Sequence, residues 1–253
     1  MNFKIKMTQH IFRTRNKWLL NSKRLINQVI KNIMTILCLL LFARAAPAQE
    51  TAEDKWGSWI TFCGRHTLSD TWKMHSLLQL RTYESLGNFN MLIISLGGSY
   101  SLGNHLSVGM RYGYLHWDSN FKQQAVPNTN EYRVSEYLGL NSQWAAVNLY
   151  HCLSMEHRYI DNISSRENQH RVRYKLQAKI PVSKQLFAML GNEVFFNLDG
   201  FAYQQNRFYG GLGIRASKTL DFRLGYMKHS FTNKSYDRLQ ITVFIKTGST
   251  LKS

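Results

Sequence analysis

Over residues 106–114 the side chains alternate with a period of two. Leu106, Val108, Met110, Tyr112 and Tyr114 fall on one parity, and Ser107, Gly109, Arg111 and Gly113 on the other. A period of two describes a β-strand, here with one apolar face and one face that is small or charged. The arrangement returns along the chain. Residues 71–83 set Trp72, Met74, Leu78 and Leu80 against Lys73, His75, Gln79 and Arg81, with Leu77 crossing over, and residues 169–180 set Val172, Tyr174, Leu176, Ala178 and Ile180 against Arg171, Arg173, Lys175, Gln177 and Lys179. Residues 143–158, 203–217, 220–226 and 236–247 behave alike; 56–62, 89–101, 131–141 and 185–197 do so more weakly. A repeated pairing of a greasy face with a face of Gly, Arg and Lys is the pattern of a membrane barrel, apolar toward lipid and polar toward the lumen.

After residue 48 no apolar run approaches the 18 or so residues of a membrane helix, which excludes a helical bundle in the membrane and leaves a barrel untouched. Three prolines and 16 glycines suit a strand-rich chain with tight turns, and no linker or second domain is visible.

Residues 1–48 follow another logic. They hold nine of the 32 Lys and Arg and none of the 15 acids, and they close on an apolar stretch followed by Ala46, Pro47 and Ala48. This is the pattern of a secretory signal peptide with an unusually long basic leader, cut between Ala48 and Gln49. The stretch is too short for a membrane anchor. Removing it leaves 23 bases against 15 acids, a net charge of +8. Most of the basicity that would suggest nucleic acid is therefore shed on export, so no nucleic-acid partner is expected. Cys38 leaves with the leader, and Cys63 and Cys152, on strands well apart in order, are expected as free thiols.

Connections near residues 102–103, 142, 182–183 and 217–218 read as short, and those at 118–130, 160–168, 198–202 and 230–235 as longer. Outer-membrane barrels keep tight turns on the periplasmic side, so the strand from Leu106 is expected to run outward. Counting back from Ile245 gives ten strands beginning at Thr71; residues 56–62 would be an eleventh, against the even number usual in bacterial barrels. They read as half of a split pair, an added edge strand or a segment inside the barrel. The expectation is an all-β fold over residues 49–253: a single closed antiparallel up-and-down transmembrane β-barrel of 10 to 12 strands.

Five ordered segments then carry a resemblance. Met155-Glu156-His157-Arg158, His170-Arg171-Val172-Arg173-Tyr174, Asn192-Glu193-Val194-Phe195-Phe196, Gln205-Asn206-Arg207-Phe208-Tyr209-Gly210-Gly211-Leu212-Gly213 and Leu224-Gly225-Tyr226-Met227 are similar to the successive motifs of the DUF2490 proteins. The resemblance covers most of the chain after the leader and is strongest after Asn148. It implies an outer-membrane barrel of the Bacteroidota type, with outer-membrane lipid and the barrel assembly machinery as partners, and it implies no activity. The last strand departs from the common pattern, continuing past Phe244 to Lys246 and beyond instead of ending on an aromatic.

If each connection is as tight as the strands allow, Glu156 lies beside Arg173, Arg173 beside Glu193, Glu193 beside Arg207 and Arg207 beside His229, all on the lumen parity. Inward charges in a narrow barrel are costly unless paired, and Arg with carboxylate pairs well, so a belt of alternating acid and base is predicted. Arg111, Arg171, Lys175, Lys179, Arg215 and Arg223 add a basic excess to the same face, suited to a small anionic solute. The chain thus reads as a structural or narrow-pore barrel of the outer membrane. Two alternatives belong to other classes. A secreted soluble barrel binding an apolar ligand would need the apolar parity inside. An outer-membrane lipid hydrolase would need a Ser activated by a His, and His229, Ser230 and Asn233 invite the thought, but neighbours on a strand face opposite sides. No catalytic residue, cofactor or metal is therefore expected; the histidines show no tight ligand spacing on one strand. Trp72, Tyr114, Trp117 and Trp144, near strand ends, are assigned to interfacial aromatic girdles.

Overall fold

In the computed structural model, which describes residues 51–121, 129–162 and 165–248, the alternating segments form one closed barrel of eleven strands. In chain order these are β1 (Trp56–Thr67), β2 (Trp72–Thr82), β3 (Phe89–Leu102), β4 (Leu106–Trp117), β5 (Thr129–Trp144), β6 (Val147–Asp161), β7 (Arg166–Pro181), β8 (Leu186–Asn197), β9 (Tyr203–Arg215), β10 (Leu220–Phe231) and β11 (Ser235–Gly248). Successive strands pair antiparallel, and a single 3-10 turn, Asp199–Phe201, lies between β8 and β9. The signal-peptide segment expected at 1–48 lies outside the described residues.

The segment at residues 56–62 is a full wall strand, β1, and it changes the closure. Strands that reverse at every turn give the first and last of eleven the same direction, so β1 pairs parallel with β11, from Trp56 opposite Asp237 to Thr67 opposite Gly248. This one pair departs from the all-antiparallel ladder expected from sequence, and it leaves the sheet with no open edge. Following register partners from Trp59 one way round reaches Thr129 on β5, and the other way reaches Gln143, fourteen residues along. That stagger tilts the strands, as closure requires.

Connections at one end, 68–71, 103–105, 145–146, 182–185 and 216–219, are two to four residues long. Those at the other end, 83–88, 118–128, 162–165, 198–202 and 232–234, run from three to eleven. The loops expected at 160–168 and 230–235 shrink to 162–165 and 232–234. Hairpin pairing carries β6 and β7 out to Asp161 opposite Arg166, and β10 and β11 out to Ser230 opposite Ser235.

The two parities part cleanly. Every strand leaves at least one large apolar side chain exposed on the outer face: Phe62, Leu78, Leu96, Met110, Leu138, Leu153, Tyr174, Leu190, Leu212, Leu224 and Ile245 in strand order. The inner parity holds the buried set, among it Trp59, Glu131, Glu156, Arg158, Arg171, Phe187, Glu193, Phe195 and Met227. Inner glycines make room for rings. Gly213 lies opposite Phe187, and Gly191 opposite Tyr209, across β8 and β9; a methyl group on either glycine would overlap the facing ring. The small residues of the inner face are thus seats for aromatics laid along the wall. Cys63 on β1 and Cys152 on β6 are free.

Candidate functional site

Three inner-face carboxylates organise a layer near the long-turn end. Glu131, third residue of β5, takes Arg158 in a two-pronged contact, Nε and NH2 donating to its two oxygens at 2.9 and 2.8 Å, while Arg133 NH2 approaches to 2.5 Å. Glu156 on β6 accepts from Arg171 Nε at 2.7 Å, with Arg171 NH2 at 2.6 Å, Arg173 NH1 at 3.4 Å and Arg133 NH1 at 3.8 Å. Glu193 on β8 meets Arg173 NH2 at 3.1 Å, Arg207 NH1 at 3.5 Å and Lys175 Nζ at 3.5 Å. The result is a chain of alternating charge across β5 to β9. Each carboxylate has at least two cations, so the charges are paired where burial would otherwise penalise them.

The sequence-derived set Glu156, Arg173, Glu193 and Arg207 is brought together, with Arg207 opposite Glu193 and His229 as expected and the register around β7 shifted. The residue opposite Glu156 is Arg171, not Arg173, and the residue opposite Glu193 on β7 is Lys175; Arg173 reaches both acids diagonally. The connection at 162–165 sets the β6–β7 pairing two residues from the tightest alternative, a shift that keeps every side chain on its own face. His229 is a neighbour more than a member. Its Nε2 lies 3.5 Å from Arg207 Nε, and its nearer partner, at 2.6 Å, is Gln205 Oε1. Ser230 faces outward, away from His229, as strand alternation requires.

Sequence reasoning left Glu131, Arg133, Arg158, Arg81 and Trp59 out of the belt. Their signal was present: Glu131 and Arg133 share the parity of Gly139 in the weak segment at 131–141, and Arg158 that of Glu156. Trp59 closes the layer on the other side, with the Arg81 guanidinium 3.6 Å and the Arg207 guanidinium 5.1 Å from the ring centre. Beside it, Met91, Ile93 and Leu115 form an apolar cluster joined by Leu77 and Trp117.

Trp117 corrects the girdle assignment. It lies three residues from Tyr114, and an odd spacing on a strand reverses the face, so Trp117 points inward against Leu115 and Met91, its Nε1 buried without a hydrogen-bond partner. Trp72 and Trp144 are exposed at the short-turn end, and Tyr114 packs on Tyr132 with ring centres 5.5 Å apart and donates to Asn130 Oδ1 at 2.8 Å.

A family model described as a protein of unknown function, DUF2490, matches residues 56–240, from the first residue of β1 into β11. The chain belongs to the DUF2490 family. Searches of curated proteins and of solved structures return no match. The matched span of this DUF2490 chain contains all three carboxylates of the layer and every arginine paired with them.

The remaining basic residues of the DUF2490 barrel lie toward the short-turn end. Lys179, Arg215 and Arg223 gather around Asp221, with Lys246 of β11 donating to both Asp221 oxygens at 3.1 Å. Arg111 sits between the two clusters, over Tyr137 at 5.3 Å. On β9, Arg207 and Arg215 are eight residues apart, about 26 Å along the strand, so the clusters occupy different layers.

Polar groups on the outer face mostly pair with one another. Asn192 and Asn206 exchange amide hydrogen bonds at 2.9 and 3.1 Å, Lys228 Nζ donates to Asp237 Oδ1 at 3.0 Å, and His157 and His170, direct register partners, sit with Nδ1 atoms 2.8 Å apart. Glu136 stands apart. It lies midway along β5 between Met110 and Met155, in a shallow outer groove with Val108, Leu138, Leu153 and Val172.

Proposed function

We propose that this DUF2490 chain is an integral outer-membrane barrel whose interior is closed by its own side chains, the charge belt fixing strand register and holding the wall rigid. The observation that carries this reading is the apolar outer face of the barrel. All eleven strands contribute to it. Soluble monomers rarely expose contiguous apolar patches beyond a few hundred Å². The mutual pairing of outer-face Asn, His, Lys and Asp side chains supports the same reading, because a polar group facing hydrocarbon has no water to turn to. Strands of 11 to 16 residues exceed the roughly 9–11 needed to cross the hydrocarbon core at a tilt.

Closure is supported by burial in the belt, where Glu131 is 1% exposed, Glu156 2% and Arg171 4%. The soluble apolar-ligand barrel is disfavoured, since it needs the apolar parity inside. Two measurements test the proposal. The folded protein should require detergent for extraction and migrate differently on a gel before and after heating, and the purified protein in a planar bilayer should give no steady current steps. Extraction by salt or alkali alone would overturn the membrane reading, and regular steps would overturn closure.

A further inference from the structure

We infer that the short-turn half of the barrel interior is a binding site for a phosphate-bearing anion; the inference rests on the closed-barrel reading above only in taking that half as a chamber open at one mouth. The belt and this chamber balance their charges differently. In the belt, three carboxylates are shared among six cations, Arg133, Arg158, Arg171, Arg173, Lys175 and Arg207, and each carboxylate is in contact with at least two of them. In the chamber a single carboxylate, Asp221, with 0% exposure, faces four cations: Lys179, Arg215, Arg223 and Lys246.

Asp221 satisfies only one of them fully. Lys246 Nζ donates to both its oxygens at 3.1 Å, whereas Lys179 Nζ and Arg223 NH2 stand off at 3.7 and 3.8 Å. Arg215 is the direct register partner of Asp221, yet its NH1 donates to the Lys184 carbonyl at 3.2 Å. Arg223 Nε is buried and has no hydrogen-bond partner at all. Donors held close, one of them without a partner, are what an oxyanion seat requires.

The floor of the chamber has the same leaning. Phe187, 1% exposed, lies under three of these cations, with Lys179 Nζ 3.8 Å from the ring centre and the Arg215 and Arg223 guanidinium carbons each at 5.9 Å. A ring quadrupole attracts cations but cancels no charge. Four cations on one carboxylate leave an excess of three positive charges, at separations where like charges in a partly desolvated site repel strongly. A ligand that supplies two or more negative charges and several acceptor oxygens answers both shortfalls. A phosphoryl group does so, taking the Arg223 fork through paired N–H donors and the lysines as point charges.

The seat is reachable. Lys179 lies two residues before the end of β7, Arg215 ends β9 and Asp221 is the second residue of β10, so all sit at the mouth carrying connections 182–185 and 216–219. The Lys179 and Lys246 side chains are 25% and 29% exposed. The phosphate can come from a free solute or from the headgroup of a lipid whose tail stays in the leaflet beside that mouth.

Calorimetric titration of the folded protein, in nonionic detergent and low chloride, tests the inference with two probes: inorganic pyrophosphate and a short-chain phosphatidic acid. Pyrophosphate is expected to bind with one-to-one stoichiometry. Arg223→Gln and Lys179→Gln should each weaken it at least tenfold, and Asp221→Asn, which removes the competing carboxylate, should tighten it several-fold. A purely structural cluster predicts no tightening. Gel mobility before and after heating reports whether each variant is folded; if Asp221→Asn is not, the two cation variants decide. Tighter binding of phosphatidic acid than of pyrophosphate assigns the site to a lipid headgroup, and the reverse order to a free anion. Absence of pyrophosphate binding to the folded wild type, or binding unchanged in Arg223→Gln and Lys179→Gln, overturns the inference. Neither result depends on whether the barrel conducts.

Discussion

Glu156 shows how much one buried carboxylate governs in this interior. It is 2% exposed and stands among Arg171, Arg173 and Arg133, the first of them bound through two nitrogens. Glu156→Gln keeps the shape and removes the charge, leaving Arg171 without its carboxylate; removing one partner of a buried pair typically costs about 3–5 kcal/mol. The urea midpoint of the folded barrel, followed by gel mobility, should fall accordingly. The double variant Glu156→Leu with Arg171→Met should recover at least half of that loss, because Arg173 keeps Glu193 and Arg133 keeps Glu131. Equal loss in single and double variants would mean that the cluster's shape matters and its charge pairing does not. Part of this cluster's membership was legible in the sequence, and of its pairings those of Glu193 with Arg207 and of Arg207 with His229, while those around β7 were not. Parity is a property of a strand alone, so Glu156, Arg173, Glu193 and Arg207 fall on one face whatever the hairpins do. Which arginine lies opposite Glu156 depends on where the connection at 162–165 begins, and polar residues at a turn leave that open by two positions. Trp117 was misplaced for a simpler reason: two aromatics near one strand end were grouped by proximity, although a spacing of three puts them on opposite faces.

At the scale of elements, β5 carries a test of what surrounds the barrel. Glu136 lies on its outer face midway along the strand, opposite Met110 and Met155 and flanked by exposed Leu138. If that face meets hydrocarbon, a mid-depth carboxylate is unfavourable, by less than the roughly 2–4 kcal/mol found for Lys or Arg at the midplane. Glu136→Leu should therefore raise the stability of the barrel folded into lipid vesicles by about 1–2 kcal/mol, read as a shift in the urea midpoint. In a barrel surrounded by water the same change would lower solubility and bring no gain in stability. The strands themselves were legible to differing degrees, and the reason is visible in β1. Its inner parity mixes Gly57, Trp59, Thr61, Cys63 and Arg65, so no single class of side chain marks the face, and the even-strand rule counted against it. Its place in the wall is set by β11, 181 residues away at every register pair, through a parallel pairing that no local pattern encodes.

For the whole molecule, the proposed division of the interior into a packed layer and a basic chamber makes a prediction about transport. Eleven strands with a fourteen-residue stagger enclose more space than the eight-strand barrels that side chains fill by themselves. What fills this one near the long-turn end is large: Trp59 between two guanidinium groups, Phe195 1% exposed beneath the guanidinium groups of Arg171, Arg173 and Arg207, and the apolar cluster beside them. Cutting that layer back should open a passage while leaving the wall's backbone pairing intact. Trp59→Ala with Phe195→Ala removes two rings and no charge, so the variant should show steady current steps in a planar bilayer where the wild type is expected to show none, provided its gel mobility reports a folded barrel. The steps should favour chloride over potassium, because the inner face leading from the belt to the short-turn mouth carries Arg111, Lys175, Lys179, Arg215 and Arg223 against one buried acid, Asp221, and fixed charge of one sign concentrates the opposite ion. Reversal potentials in a salt gradient measure that preference. A passage selective for potassium would show that the basic residues are neutralised within the wall and set no field in the chamber, which would remove the electrostatic ground for an anion site there.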